Sequence, residues 1–320
     1  MEEWKEEMLK YIFSIDDQSL DIDAGLAIKY NNIPSRLYKY YIFSDHNKRN
    51  LEKSVIWLSY PENFNDPYDC ALTYSNFDLL NHFFPKNMDN IFKEVNFADN
   101  ELTELEKEQI RFSKNSIKTF AEIMIKKEEQ VKPEDRKKVL DALIGAVSSV
   151  AEDFESSFKN VVKEATLVSC FSEIKDSIIM WSHYADNHKG FCVEYDFKSL
   201  PYSNKITTLL YPIIYQHELL DVTEYMKIEK EHLNNIFGVR AAITKSKEWE
   251  YEREWRIIMP FGISKHEMEW DVPLPTSIYA GAKIEQKNKE FLKQYCERTK
   301  IPLLYSKMNE HMFKIDFVHE

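Results

Sequence analysis

The glycines of this 320-residue sequence are few and isolated, and that scarcity constrains the fold more than any other feature. A loop that cradles a phosphate group needs clustered glycines, because its backbone N–H groups must approach the ligand closely. Neither G-x-G-x-x-G nor G-x-x-x-x-G-K-[ST] can be written here, and the G-x-S-x-G elbow is also missing. Rossmann dehydrogenases, P-loop NTPases and ordinary protein kinases are therefore excluded. The six glycines are Gly25, Gly145, Gly190, Gly238, Gly262 and Gly281.

Composition narrows the class of protein further. With 43% hydrophobic and 14% aromatic residues the chain can bury a substantial core. A formal net charge of −12 argues against bulk nucleic-acid binding. The acidic start at Met1 has no apolar signal region, and no stretch approaches eighteen apolar residues, so we expect no membrane association. The four cysteines form no C-x-x-C pair, which favours reduced thiols and a cytoplasmic location.

The pattern of helices and strands predicts an α+β fold. Residues 1–34 read as an N-terminal helical preface, and residues 35–320 as one family domain whose segment 77–163 is a helical insertion. The expected β core is mixed or antiparallel, because helices and strands do not alternate strictly. A C-terminal β-α-β unit closes the chain. The predicted strands are 37–43, 55–59, 166–171, 191–197, 207–215, 253–259, 277–281, 303–305 and 313–317, and the predicted helices outside the insertion are 2–13, 18–30, 176–187, 218–246 and 285–299.

The insertion contains an apolar stripe at helical spacing between Leu140 and Val161. Such a stripe needs a partner face, which we expect from the helix around Ile117, Phe120 and Met124. The strands on either side of the insertion should then be adjacent. A surface of this kind also allows a homo-oligomer to form through the insertion.

Three short polar and aromatic motifs stand out from the rest of the chain. Residues 64–69 read Phe-Asn-Asp-Pro-Tyr-Asp, which is either an ordinary rigid turn or a turn that holds Asn65, Asp66 and Asp69 beside a ligand. Within the predicted helix 176–187, Trp181 and Tyr184 share one face. His183 points elsewhere on that helix, and a satisfied semi-buried histidine is the alternative to a catalytic base.

The third motif, residues 249–256, alternates with period two. This spacing places Glu252, Glu254 and Arg256 on one strand face, with Trp255 on the opposite face against the core. The two carboxylates could serve catalysis, or they could form an exposed ladder of ion pairs with Lys245 and Lys247. Residues concentrated in such short blocks predict that the three motifs share one cleft.

Six ordered blocks that include these motifs resemble the bacterial family known as domain of unknown function 2971. The blocks are Leu37-Tyr-Lys-Tyr, Trp57-Leu-Ser with residues 64–69, Cys170-Phe-Ser, Met180-Trp-Ser-His-Tyr-Ala, Gly190-Phe-Cys-Val-Glu-Tyr and residues 249–256. The family name implies no established activity. Members resemble components of bacterial mobile and antiphage islands.

The order of the motifs is also similar to the layout of ADP-ribosyltransferases, which bind NAD without a glycine-rich loop. The resemblance implies that Glu254 or Glu252 contacts the nicotinamide ribose, that Ser172 holds the cleft and that Tyr184 stacks on nicotinamide. Lys39, with Tyr40 beside it, would lie on the first strand. The sequence departs from that layout in having Lys39 where arginine or histidine is usual, and in its Ser-Cys-Phe-Ser segment.

Three functions follow as hypotheses. The first is an NAD-consuming, ADP-ribosyltransferase-like effector of a bacterial toxin or antiphage defence system, with Glu254, Glu252, Ser172 and His183 as catalytic residues and NAD as substrate. Its ligand-binding residues would be Lys39, Tyr40, Asn65, Asp66, Asp69, Trp181, Tyr184 and Arg256.

The second hypothesis is a metal-dependent nuclease or hydrolase, in which Asp66, Asp69, Glu252 and Glu254 bind Mg²⁺. The third is a non-catalytic binding module that senses a small molecule or a phage protein. The partner would be a small-molecule nucleotide or a macromolecular target, such as a phage or defence-system protein. No structural metal is expected.

Overall fold

A computed structural model describes residues 1–15, 17–94, 102–127, 166–228, 236–259 and 268–319, with residues 134, 137, 138, 232 and 234 between those ranges. The predicted stripe from Leu140 to Val161 lies outside the described residues. No helix in the described ranges is long and apolar enough to cross a bilayer.

The described part of the chain mixes short and long helices with many short strands. The helices are α1 (Glu3–Ile12), α2 (Ile22–Asn31), α3 (Asp45–Lys53), α4 (Asn76–Glu94), α5 (Glu104–Arg111), α6 (Ser116–Lys126), α7 (Ile178–Tyr184), α8 (Lys205–Leu209), α9 (Thr223–Met226), α10 (Phe237–Ala242) and α11 (Gln286–Thr299). The 3₁₀ helices are Asp17–Ser19, Pro61–Asn63, Phe197–Ser199 and Lys247–Glu252. The strands are β1 (Leu37–Tyr41), β2 (Val55–Trp57), β3 (Leu72–Thr73), β4 (Leu167–Ser172), β5 (Phe191–Tyr195), β6 (Leu210–Pro212), β7 (Ile214–Gln216), β8 (Leu220–Asp221), β9 (Thr244–Ser246), β10 (Glu254–Met259), β11 (Glu269–Asp271), β12 (Ser277–Ala280), β13 (Leu303–Met308) and β14 (Ile315–Val318).

One eight-stranded sheet organises the protein, in the order β14-β13-β12-β5-β1-β4-β10-β6. Its pairs are antiparallel except β12 with β13, which are parallel and joined by α11. The α+β class with a mixed sheet is therefore confirmed, and the closing β-α-β unit is present. Three two-stranded sheets flank it, pairing β11 with β2, β3 with β8, and β7 with β9.

Alternation along β10 sends its side chains to opposite faces of the sheet. Trp255 and Ile257 join the core on one face, which also contains Leu292 of α11. Ile258 joins the core on the other face, where Met8 of α1 packs. Trp4 of α1 stacks on Trp255 with ring centroids 6.1 Å apart, so helix α1 packs directly against strand β10.

Helices α4, α5 and α6 enclose a separate hydrophobic cluster, built around residues such as Phe84, Ile110 and Phe120. We call helices α4, α5 and α6 the lobe. Of the two chain segments that precede the lobe, only one pairs with β4. Ser59 forms an isolated bridge with Val168, whereas β3 pairs with β8. The expected adjacency of the flanking strands is thus realised by a bridge and not by a full strand pair.

Two sequence predictions about local structure are wrong. The segment predicted as a strand over 207–215 begins as helix α8, and the segment predicted as helical over 218–246 includes strands β8 and β9. The left-handed conformation after helix α7 is adopted by three non-glycine residues, Asp186, Asn187 and His188. Gly190 is needed for space, because a Cβ there would lie 2.1 Å from the carbonyl oxygen of Tyr41.

Candidate functional site

The candidate site lies where strands β1 and β4 separate. The two strands pair in register at Tyr38 and Ser172, while β1 pairs with β5 throughout and β4 with β10 throughout. Further along β4, Val168 pairs with Ser59 instead of with β1. A cavity of about 330 Å³ fills the gap, at the lower end of the usual range for small-molecule sites.

All three sequence motifs contribute to this cavity. Nine of the twelve predicted site residues line it, namely Lys39, Tyr40, Asn65, Asp69, Ser172, Tyr184, Glu252, Glu254 and Arg256. Aromatic side chains from several elements complete the wall, including Tyr38, Tyr41, Trp57, Phe64 and Phe171. The predicted convergence of the motifs therefore occurs for most of the residues.

Arg256 is the centre of a buried charge network. It is 1% exposed, and its Nη1 and Nη2 donate to the two carboxylate oxygens of Asp69 at 2.8 and 2.6 Å. Its Nε donates to Glu254 Oε1 at 2.7 Å, and Nη1 also donates to the carbonyl oxygen of Ala242 at 2.8 Å. With these bonds made, Arg256 orients its neighbours, and the predicted ligand-binding role is not supported by its geometry.

Lys245 joins the two glutamates of the third motif. Its Nζ donates to Glu252 Oε2 at 2.7 Å and to Glu254 Oε2 at 2.9 Å, and it lies 4.7 Å from the ring centre of Trp249. Strand β9 positions this lysine by pairing with β7, where Lys245 is opposite Tyr215. The ladder of exposed ion pairs considered for this motif is instead a buried network.

The two glutamates have pKa values shifted in opposite directions. Burial alone raises the pKa of Glu254, but the charges of Arg256 and Lys245 outweigh burial and lower it to about 2. Burial raises the pKa of Glu252 above its ordinary value, and the bonds from Lys245 and Tyr184 offset only part of that effect. Glu254 is therefore a fixed negative charge, whereas Glu252 can exchange a proton closer to neutral pH.

Glu252 reaches the network from outside the strand on which it was predicted. It ends the 3₁₀ helix Lys247–Glu252, and Arg253 then adopts the left-handed conformation with φ 44° before β10 begins. The carboxylate of Glu252 accepts a 2.6 Å hydrogen bond from the Tyr184 hydroxyl. Asn65 in turn donates to that hydroxyl at 3.4 Å, which links the first and second motifs to the third.

Ser172 lines the cavity but has a positioning role. Its hydroxyl donates to the backbone carbonyl of Glu252 at 2.6 Å and accepts from the backbone N–H of Ile174 at 2.9 Å. These bonds fix the turn that carries Glu252. The structure thus shows Ser172 holding Glu252 in place, and its catalytic role stays a prediction.

Three predicted site residues lie outside the cavity lining. Trp181 is 0% exposed and donates from its indole nitrogen to the carbonyl oxygen of Lys175 at 2.7 Å. His183 is exposed on the far side of helix α7. Asp66 is buried within its own turn, where it accepts from the backbone N–H of Tyr68 at 2.9 Å. The orientation of helix α7 keeps Trp181 and His183 out of the cavity lining, and turn capping keeps Asp66 out of it.

The carboxylates proposed as Mg²⁺ ligands do not form a ligand set. Asp69 and Glu254 are bonded to Arg256, and Asp66 lies outside the cavity lining. Within the described ranges, no group of three or more His, Cys, Asp or Glu side chains could hold a metal ion. The geometry therefore offers no support for the metal-dependent hydrolase.

Two cavity residues that matter are not among the predicted site residues. The sequence indicates Lys245 only as a partner of the glutamates in an exposed ion-pair ladder, within a segment predicted as helical, whereas the structure buries it on strand β9. Ser169 is 2% exposed, and its hydroxyl has no hydrogen-bond partner among the described residues. The Ser169 hydroxyl is therefore available to a ligand in the cavity. No sequence pattern distinguishes Ser169 from Ser172.

Comparison with known proteins gives one match. No curated protein and no solved structure matched the chain. The match to a family model covers residues 180–257, which include Tyr184, Lys245, Glu252, Glu254 and Arg256 of the cavity lining. Residues 180–257 of the chain match the family model described as "Protein of unknown function (DUF2971)".

Proposed function

We propose that this chain is an NAD-consuming enzyme of the ADP-ribosyltransferase type, with Glu252 as the reacting carboxylate. The observation that carries the proposal is the pair of cavity carboxylates held on one buried lysine with opposite pKa shifts. Sites that cleave glycosidic bonds typically contain two carboxyl groups, one with a raised pKa and one that stays ionised.

The chemistry follows from these two groups. The bond between the ribose C1′ and the nicotinamide nitrogen breaks, and nicotinamide leaves with the bonding electron pair. The ionised carboxylates stabilise the positive charge that develops on the ribose. An acceptor oxygen or nitrogen then bonds to C1′, and Glu252 takes up the proton that the acceptor loses.

The cavity wall suits the substrate. The nicotinamide ring of NAD is a cation, and aromatic faces such as those of Trp57, Phe64 and Tyr184 attract cations. The volume of about 330 Å³ fits the nicotinamide riboside end of NAD, with the remainder directed outward. Of the two glutamates that the sequence hypothesis named, Glu252 is the better proton acceptor, because its pKa is raised whereas Arg256 and Lys245 lower the pKa of Glu254.

Release of nicotinamide from NAD tests this proposal. Glu252→Gln keeps the shape and the bond from Tyr184 but removes the proton acceptor, so we expect turnover to fall by about a hundredfold or more. Glu250→Gln, on the same 3₁₀ helix but exposed, is the matched control and should keep full activity. The proposal is wrong if the wild-type chain releases no nicotinamide, or if Glu252→Gln is as active as Glu250→Gln.

One observation favours a second candidate, a binding module without catalysis. Apart from Lys39, the charged groups of the cavity lining are bonded to one another, which is typical of a rigid binding site. Calorimetric titration with NAD, run beside the nicotinamide-release measurement, distinguishes the two functions. A binding module binds NAD in the titration and releases no nicotinamide.

The biological setting belongs to the same proposal. None of the four cysteines forms a disulfide bond, which suits the reducing cytoplasm, where NAD is present. The role as an effector in a toxin or antiphage system derives from the family resemblance. Growth arrest on expression, abolished by Glu252→Gln and kept by Glu250→Gln, is the expected cellular result.

A further inference from the structure

Lys39 differs from Lys245 and Arg256, the other two cationic side chains of the cavity lining, in the groups that surround it. Its Nζ donates to the carbonyl oxygen of Cys170 at 3.0 Å, across the gap between β1 and β4. The ring centres of Phe171 and Tyr41 lie 5.2 and 5.7 Å from that nitrogen. Among the described residues no carboxylate lies within ion-pair distance of Lys39, whereas Lys245 and Arg256 each bind carboxylates directly.

This environment favours the neutral amine. A carbonyl oxygen and two ring faces stabilise an ammonium group less than a carboxylate does. Burial lowers the pKa of Lys39, and the more distant charge of Glu254 offsets only part of that effect. A lowered pKa leaves more of a lysine amine neutral, and a neutral amine that faces a cavity is a nucleophile.

We propose that Lys39 is a reactive amine that forms an imine with an aldehyde bound in the cavity. The neutral nitrogen attacks the carbonyl carbon, and one proton moves from that nitrogen to the carbonyl oxygen to give a carbinolamine. The hydroxyl group then leaves as water together with the second N–H proton, which leaves a C=N bond. Hydrolysis reverses the reaction, so the step needs no oxidant or reductant. The free hydroxyl of Ser169, in the same cavity wall, can donate a hydrogen bond to the carbonyl oxygen.

The cavity limits which aldehydes can reach Lys39. Its volume of about 330 Å³ and its aromatic wall fit a single ring or a single sugar unit that carries the aldehyde. The inference does not rest on the proposed NAD reaction, because it requires only the amine and its cavity.

Reductive trapping tests the inference. The full chain is incubated at pH 7 with benzaldehyde and sodium cyanoborohydride, which converts an imine into a stable secondary amine, and the labelled lysines are identified by peptide mass spectrometry. We expect Lys39 to be labelled at least about tenfold faster than the exposed Lys118, because a lowered pKa leaves more of the Lys39 amine neutral at pH 7. Lys39→Arg keeps a long side chain with N–H donors but has no nucleophilic amine, so it should lose this fast label.

Lys29 provides the matched control. Burial lowers its pKa as well, but Lys29 is 0% exposed and does not line the cavity, so it should stay unlabelled. Labelling of Lys39 at the rate of Lys118 would overturn the inference. Labelling of Lys29 as fast as Lys39 would also overturn it, because reactivity would then come from burial without the cavity. Since no NAD is present, the result is independent of the nicotinamide assay.

Discussion

At the scale of single residues, the cleft depends on opposite charges that are paired inside the protein. Asp69, Glu254 and Glu252 supply three negative charges, and Arg256 and Lys245 supply two positive ones. Each is almost fully buried, so removing one member leaves an uncompensated charge in a medium that solvates it poorly. The network therefore contributes to folding as well as to the shape of the site.

Glu254→Gln should lower stability in a pH-dependent way. The native pKa of Glu254 is about 2, below its ordinary value of 4.5, so its contribution is complete above pH 4.5 and is lost as the pH falls towards 2. The shift corresponds to about 3 kcal/mol at pH 7. We expect urea unfolding to show this loss at pH 7 and a progressively smaller difference between the two proteins down to pH 3.

The control for this measurement is again Glu250→Gln. Glu250 is 53% exposed and pairs with Lys247, and surface pairs of this kind contribute less than about 1 kcal/mol. A difference between wild type and Glu254→Gln that stays constant from pH 7 to pH 3 would contradict the role assigned to the Glu254 charge.

At the scale of elements, a proline couples two helices of the lobe. Pro85 lies inside α4 and has no N–H to donate to the carbonyl oxygen of Asn81. The hydroxyl of Ser116, the first residue of α6, donates to that oxygen at 3.0 Å. The Asn81 side chain accepts from the backbone N–H of Ile117 at 3.1 Å, so the gap in one helix fixes the start of the other.

A double-mutant cycle should expose this coupling. Ser116→Ala leaves the Asn81 carbonyl unpaired and should cost about 1–3 kcal/mol of unfolding free energy. In a Pro85→Ala background the new backbone N–H of residue 85 can donate to the Asn81 carbonyl. Ser116→Ala should therefore lower the free energy of unfolding by less in that background. Thr103→Ala, which removes a cap from the neighbouring α5, should cost the same in both backgrounds. Additive effects of Ser116→Ala and Pro85→Ala in chemical denaturation would rule the coupling out.

Element prediction from sequence succeeded where a local pattern decides the structure. The period-two alternation of β10 placed Trp255 in the core and Glu254 with Arg256 on the other face. It failed for Glu252, because Arg253 takes a left-handed conformation that a non-glycine residue rarely adopts. It also failed for Lys245, whose helix-forming neighbours are overridden by pairing of β9 with β7.

At the scale of the whole molecule, the sequence predicted one shared cleft but not the burial of its ion pairs. The density of polar and aromatic residues predicted that the three motifs meet, and a hydrogen-bonded chain through Asn65, Tyr184 and Glu252 joins them. The same density placed His183 at the cleft, but the position of His183 depends on how helix α7 is rotated against the sheet. The burial of Lys245 beside both glutamates and the contact of Lys39 with Cys170 depend on tertiary packing that no short motif encodes.

The protein has a body with the cleft and a lobe with its own hydrophobic core. Helix α4 spans both, because Leu79 packs in the body and Phe84 packs in the lobe. Phe120 of α6 is 5% exposed and lies 5.3 Å from Phe84 between ring centres. A core that is separate in this way can open on its own without disturbing the sheet.

Phe120→Ala should therefore weaken the lobe and spare the cleft. Loss of a buried phenylalanine costs about 3–5 kcal/mol, and the cost falls on the unit that contains it. We expect native-state hydrogen exchange to speed up at the amides of Ser116–Lys126 and to stay unchanged at those of Glu254–Met259, with trapping of Lys39 at its wild-type rate. Phe171→Ala, in the sheet core beside the cavity, is the matched control and should accelerate exchange in β10 and alter the trapping rate. Faster exchange in β10 of Phe120→Ala would show instead that lobe and body unfold as one unit, because only a shared cooperative unit transmits the loss across α4.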